Sequence, residues 1–284
     1  MMNILRMLPT LICLLVVLIP KSEAEDYTSG SFEASDGAKI HYIQLGSAGS
    51  HVVLIHGFTG SAEGTWTANG VAKALAADHR VVAIDCRGHG KSDKPHDPAL
   101  YGGDRMAQDV IELMDHVGIE RAHIHGYSMG GGITARLMAM VPGRIISAAL
   151  GGSGVREVDE SLAAHAASLD PEGTDPQQEE ALAALRERGS RDEAAFEALR
   201  TGRSANPSTG PILDLTKIEF PVLAINGEFD RPYSKTHRMW RELEDFRNVV
   251  LPGKSHNTAV NAGYIPPAYA DTLIEFFGTI DVRN

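Results

Sequence analysis

The residue best placed to do chemistry is Ser128, in Gly126-Tyr127-Ser128-Met129-Gly130. The pattern sits between an apolar run at 122–125 and a helical pattern at 129–140. A serine on a sharp strand-to-helix turn projects its hydroxyl into a cleft, and glycine two residues to either side admits the tight bend. The helix start also aims free N–H groups and a partial positive charge at that place. A hydroxyl is a weak nucleophile near neutral pH and needs a base to take its proton. Histidine suits, because its pKa lies near neutrality. Of the 12 histidines, His256 lies in a loop just past the last apolar run (249–251), the carboxyl edge where sheet-borne sites form. An imidazole that must become imidazolium needs a carboxylate to orient it. Asp230 and Glu228 both follow the apolar run at 222–225 and are the candidates.

The elements that must hold these residues are legible from periodicity. Short β-branched runs at 52–55, 81–84, 122–125, 145–150, 222–225 and 249–251 read as strands buried on both faces of a parallel sheet. An opening antiparallel hairpin, 32–34 with 40–45, turns at Asp36-Gly37. Helical patterns at 62–77, 104–117, 129–140, 233–243 and 267–277 alternate with the strands. In the second of these, Ala107, Val110, Ile111, Met114 and Val117 recur at three- and four-residue steps, one apolar face of a helix. Such alternation implies a doubly wound α/β sheet with right-handed crossovers.

Residues 155–215 break the alternation: the segment is rich in Ala and Glu and has no strand pattern. Asp175-Pro176-Gln177-Gln178 is a helix start, with Gly189 as its stop. Ser190-Arg191-Asp192-Glu193 is a second capping box, with Gly202 as terminator. The narrow stripes Leu182 with Leu185 and Phe196 with Leu199 need a surface to lie on, so the segment reads as a helical cap inserted into a core domain of residues 25–154 and 216–284.

With these motifs in place the chain resembles the α/β-hydrolase superfamily over nearly its whole length beyond the leader. The resemblance is carried by His56-Gly57-Phe58-Thr59-Gly60, by Asp85-Cys86-Arg87-Gly88-His89-Gly90-Lys91-Ser92, by the serine turn, by Asn226-Gly227-Glu228-Phe229-Asp230 and by Gly253-Lys254-Ser255-His256. It implies an eight-stranded, mostly parallel sheet, often with a cap inserted after the sixth strand. It also implies Ser128 as nucleophile, His256 as base and Asp230 as orienting acid, in the order the family uses. Some members carry the acid after the sixth strand; here that turn reads Gly151-Gly152-Ser153-Gly154, with no acid, and Glu228 is the fallback. By the same resemblance the backbone N–H groups of Phe58 and Met129 form an oxyanion hole, while His56 and His89 order their loops.

A serine rather than an aspartate at the elbow points to acyl chemistry: attack on a carbonyl, an acyl-enzyme, then release by water. The expectation is a serine hydrolase of carboxylic esters acting on a small-molecule ester or acyl substrate. Acyltransfer, perhydrolysis, lactone opening and carbon–carbon bond hydrolysis use the same constellation in relatives, and a low-turnover ligand-binding protein is the non-enzymatic alternative. The substrate-binding residues and the oligomeric state are left open.

Composition narrows the field further. The 284 residues are 43% hydrophobic and 22% charged, enough to build a large core, and the net charge is −11. An acidic surface repels phosphate backbones, which argues against nucleic acid. Residues 1–24 read as a signal peptide, with Arg6, an apolar stretch at 8–19 and a small-x-small site at Ser22-Glu23-Ala24. That implies a secreted or periplasmic protein with no stable membrane span after cleavage, or alternatively an N-terminal anchor. Removing the leader takes Cys13 with it and leaves Cys86 without a disulfide partner, as a small packing residue. His123-Ile124-His125 could set two imidazoles on one strand face, yet no carboxylate or thiolate partner is apparent in sequence, so no metal is expected. No cofactor is expected either, because neither a dinucleotide nor a Walker pattern is present.

Overall fold

In the computed structural model, the structure describes residues 27–188, 192–206 and 209–283. The expected leader, the Gly189 stop and the Ser190-Arg191 half of the second capping box lie outside them. Eight strands form one sheet in the order β1-β2-β4-β3-β5-β6-β7-β8. They are β1 (Thr28–Glu33), β2 (Lys39–Leu45), β3 (His51–Ile55), β4 (Arg80–Ile84), β5 (Ala122–Tyr127), β6 (Ile145–Gly151), β7 (Val222–Gly227) and β8 (Phe246–Leu251). The hairpin β1–β2 is antiparallel and joins β4 antiparallel; every later pairing is parallel.

The continuous apolar runs are continuous because both faces of the sheet are covered. Val53, Ile55, Ile124, Ala148, Leu150, Val222 and Ala224 face one core, beneath α2 (Arg105–His116) and α3 (Met129–Met140). Val52, Leu54, Ala149, Leu223 and Ile225 face the other, beneath α1 (Val71–Leu75) and α8 (Pro267–Asp281). A strand side chain enclosed in this way contributes roughly 1.5–3 kcal/mol on burial. Cys86 is buried and free in the first core, and burial pushes its thiol well above the usual range.

Between β6 and β7 run α4 (Glu160–Ser168), α5 (Gln178–Arg188) and α6 (Glu193–Ala205), and α7 (Pro232–Glu242) follows β7. Two helical expectations need correction. The span 62–77 is not one helix: a π-helical turn (Ala62–Thr67) is separated from α1 by Ala68, Asn69 and Gly70, the glycine at φ 82°. Gly202 does not end α6; it lies inside that helix, where a Cβ would come 2.1 Å from the Pro98 carbonyl oxygen. That glycine serves close packing, not termination. Asp192 caps α6 by accepting from the Ala195 N–H.

Candidate active site

The cleft opens where connections leave the sheet in opposite directions. From β3 the chain crosses to β4, and from β5 it crosses to β6, so the carboxyl ends of neighbouring β3 and β5 part at a topological switch point. Ser128 stands there, one residue past β5, at φ 53° and ψ −108°. Its N–H donates to the Gly151 carbonyl at 2.7 Å, tying the turn to β6. A Cβ at Gly126 would lie 2.0 Å from the Gly130 oxygen, and one at Gly130 would lie 2.1 Å from the Ile55 oxygen. Both glycines are therefore required by contact. Among the described residues the other non-glycines at positive φ are Thr59, which lines the cavity beside Ser128, and Arg231, which follows Asp230. Strain of this kind costs of order 1–3 kcal/mol per residue and persists where surrounding structure enforces it.

His256 sits in the loop after β8 and presents Nε2 to Ser128 Oγ at 2.9 Å. Its Nδ1 lies 2.8 Å from Asp230 Oδ2. Nδ1–H donates to the carboxylate, which leaves the Nε2 lone pair facing the hydroxyl. Glu228 is turned elsewhere, its Oε2 accepting from the Gly253 N–H at 2.7 Å. The structure thus brings together Ser128, His256 and Asp230, with Glu228 outside the hydrogen-bonded chain.

The Gly57 backbone lies against the turn, since a Cβ there would be 3.3 Å from Ser128 Cβ. Phe58 follows it on the cavity wall. Met129 is the first residue of α3, so its N–H is among the donors a helix leaves unpaired. His56 spends both ring nitrogens on structure: Nδ1–H donates to the Gly57 carbonyl at 2.7 Å and Nε2 accepts from the Cys86 N–H at 3.0 Å. His89 donates from Nδ1 to the Arg87 carbonyl and packs against His56, Phe58 and Phe196. Burial, with His56 alongside, pulls its pKa down to about 3, so the ring is neutral.

Three residues hold this assembly in a way the sequence did not show. Lys235, buried on α7, places its ammonium against Asp230 Oδ1 and donates to the Gly152 carbonyl at 3.2 Å. Asp170 accepts from the N–H groups of Tyr233 (2.8 Å) and Ser234 (3.1 Å), capping α7 just after Asp230. Asp175 accepts from the Gln177 N–H at 2.9 Å, as a cap should, while its other oxygen takes the Ser255 N–H (3.1 Å) and the Thr258 hydroxyl. One signal was available in advance: Pro232 at a helix start, with no Ser, Thr, Asp or Asn just before it, leaves α7 needing a cap from elsewhere.

A cavity of about 410 Å³ adjoins Ser128 and His256 and is walled by Phe58, Leu182, Leu185, Arg186 and Arg200. The helices α5 and α6 therefore supply part of its wall. A second cavity of about 220 Å³ lies beside it, sharing Thr59, Gly60, Leu185 and Asn261.

Residues 50–235 match the alpha/beta hydrolase fold. The chain belongs to the α/β-hydrolase fold family. Over 121 residues it is 40% identical to the dihydrolipoyllysine-residue acetyltransferase component of an acetoin cleaving system from Cupriavidus necator, covering 42% of this chain and 30% of that one. Over 96 residues it is 36% identical to Esterase YbfF of Escherichia coli, covering 34% and 35%. The matches thus span about a third of these curated relatives' own lengths. The enol-lactonase structure from Burkholderia xenovorans LB400 superposes with a TM-score of 0.68 at 23% identity, covering 88% of this α/β hydrolase and 100% of the lactonase. At that identity the likeness speaks for the fold.

Proposed function

We propose that this α/β hydrolase cleaves carboxylic esters of small molecules through an acyl-enzyme on Ser128. The observation that carries the reading is the hydrogen-bonded chain from Ser128 Oγ through His256 to Asp230, 2.9 and 2.8 Å, beside a cavity. His256 takes the hydroxyl proton as Oγ attacks the carbonyl, and Asp230 stabilises the resulting imidazolium. The amides of Phe58 and Met129 receive the oxyanion; each such donor is worth about 3–4 kcal/mol in the transition state. The imidazolium returns its proton to the leaving alcohol, and water then repeats the sequence to release the acid. A relative named as an esterase supports the ester class.

Replacing Ser128 with Ala should abolish turnover of a short p-nitrophenyl ester while the far-ultraviolet dichroism stays unchanged. A fluorophosphonate should label wild type at Ser128 and leave the variant unlabelled. Undiminished hydrolysis by the variant would overturn the mechanism. We further infer export, on the strength of the leader at 1–24; a purified extracytoplasmic protein beginning at Glu25 is the expected result.

A further inference from the structure

At the opposite end of β5 from the serine, side chains far apart in sequence converge. His79 precedes β4, His123 lies near the start of β5, and Asp281 ends α8. Their ligand atoms all lie within 4.8 Å of one another. His123 Nε2 is 3.0 Å from Asp281 Oδ1, and His79 Nε2 is 3.3 Å from Asp281 Oδ2. Phe277, one helical turn before Asp281, covers the two imidazoles with ring centroids at 4.7 and 6.1 Å. Both histidines are buried.

Proton placement makes the cluster more than a packing contact. His79 Nδ1 faces the Leu75 carbonyl at 3.2 Å, and a carbonyl can only accept, so Nδ1 carries the hydrogen. In the neutral ring Nε2 is then a bare lone pair. That atom is buried, has no hydrogen-bond partner and faces a carboxylate, which is acceptor against acceptor. Asp281 Oδ2 accepts from the Ser50 hydroxyl at 2.7 Å and keeps a further lone pair, so a positive centre between ring and carboxylate would satisfy the orphaned Nε2. His123 can join, because its Nδ1 meets the Ser147 hydroxyl at 2.7 Å, and a hydroxyl can accept that N–H and free Nε2 for coordination. Metal-bound histidines usually donate their second N–H to a carbonyl or similar acceptor, the arrangement both rings can adopt here.

We propose that His79, His123 and Asp281 bind a divalent transition cation of the zinc class, a structural clasp fixing the end of α8 to the amino edge of the sheet. Two imidazole nitrogens and one carboxylate oxygen select zinc-like ions over magnesium or calcium, which take oxygen donors. The two ring nitrogens lie 3.0 and 3.3 Å from different oxygens of Asp281, close to the ~3.4 Å tetrahedral edge that zinc–nitrogen bonds of about 2.1 Å would give, so a cation held between the rings can take either oxygen. The sequence argues against a metal because it pairs His123 with His125 and shows no carboxylate or thiolate partner for them. Instead His125 bonds the Ala149 carbonyl and the Tyr269 hydroxyl, and the carboxylate arrives from 158 residues away.

The test uses the full mature chain, without a histidine tag, stripped with EDTA and titrated with cobalt(II) and with zinc(II). Expected are a visible ligand-field band saturating at one cobalt per chain and a melting temperature raised by roughly 5–10 °C at a hundredfold excess of zinc over its dissociation constant. His79→Gln and Asp281→Asn should each weaken cobalt binding by more than about tenfold and remove the zinc-dependent rise. Both positions are remote from Ser128, so ester turnover at room temperature provides a separate readout that can fail independently. Absence of a one-equivalent cobalt band in wild type overturns the site even if a variant misfolds. So does binding undiminished by both substitutions, or a stability that follows pH and ignores metal.

Discussion

A charged partner on Asp230 bears on how that carboxylate would orient His256 in the proposed mechanism. Asp230 divides its carboxylate between His256 on Oδ2 and the Lys235 ammonium on Oδ1. Burial lowers the Lys235 pKa, opposed by Asp230. Replacing Lys235 with Met removes the positive charge while keeping much of the buried stem, and it leaves Asp230 Oδ1 without its charged partner. A carboxylate held less firmly should orient His256 less well, lowering kcat by about tenfold with KM little changed. An unchanged kcat would assign Lys235 to packing alone. None of this was legible in the sequence, where Lys235 is one cation on an amphipathic helix. Ser128, by contrast, was legible because its strand, glycines and helix are contiguous, so a local pattern carried the geometry.

At the scale of elements, the inserted helices touch the chemistry from two directions. Leu182 and Leu185 of α5 wall the cavity, so under the proposed ester hydrolysis they would bear on the acyl or alcohol portion of the substrate. Leu185→Trp should shorten the preferred acyl chain, read as a fall in kcat/KM for hexanoate or octanoate relative to acetate; an unchanged ratio would remove α5 from substrate selection. Asp175 reaches the loop that carries His256 through Ser255 and Thr258. Asp175→Ala leaves those buried donors unmatched, which costs about 1–3 kcal/mol in stability. A loosened His256 should also lower kcat more than it changes KM. A variant with wild-type melting and kcat would show the contact to be idle. The sequence made Asp175 a helix cap, which it is; its second oxygen was invisible because its partners lie some 80 residues later. The split of 62–77 at Gly70 and the passage of α6 through Gly202 have the same origin: glycine marks a tight approach as readily as a helix end, and only the neighbour decides which.

For the whole molecule, the sheet could be read from the chain because burial on both faces writes itself as continuous β-branched runs, while polar clusters assembled by folding leave no such trace. Arg87 illustrates this. It lies within the motif that follows β4 and is fully buried, with Nε and Nη2 donating to Asp109 at 2.6 and 2.7 Å and Nη1 donating to Asp36 and the Leu100 carbonyl. This guanidinium therefore joins α2, the β1–β2 turn and the loop after β4 below the cleft. Arg87→Met should preserve volume but leave Asp109 with only Arg105, 3.0 Å away, as its counter-charge. The cost should be about 3 kcal/mol in urea unfolding, the lower end for a broken buried pair because Arg105 remains. The pH dependence separates charge from packing. Burial is the strongest influence on Asp109 and raises its pKa, so in the variant the ionised form is disfavoured in the folded state relative to the unfolded one. The loss should then be largest near neutrality and shrink as the pH falls toward the ordinary carboxylate value, where protonation discharges Asp109. A deficit constant from pH 7 to pH 4 would place the effect in lost packing around the arginine stem instead.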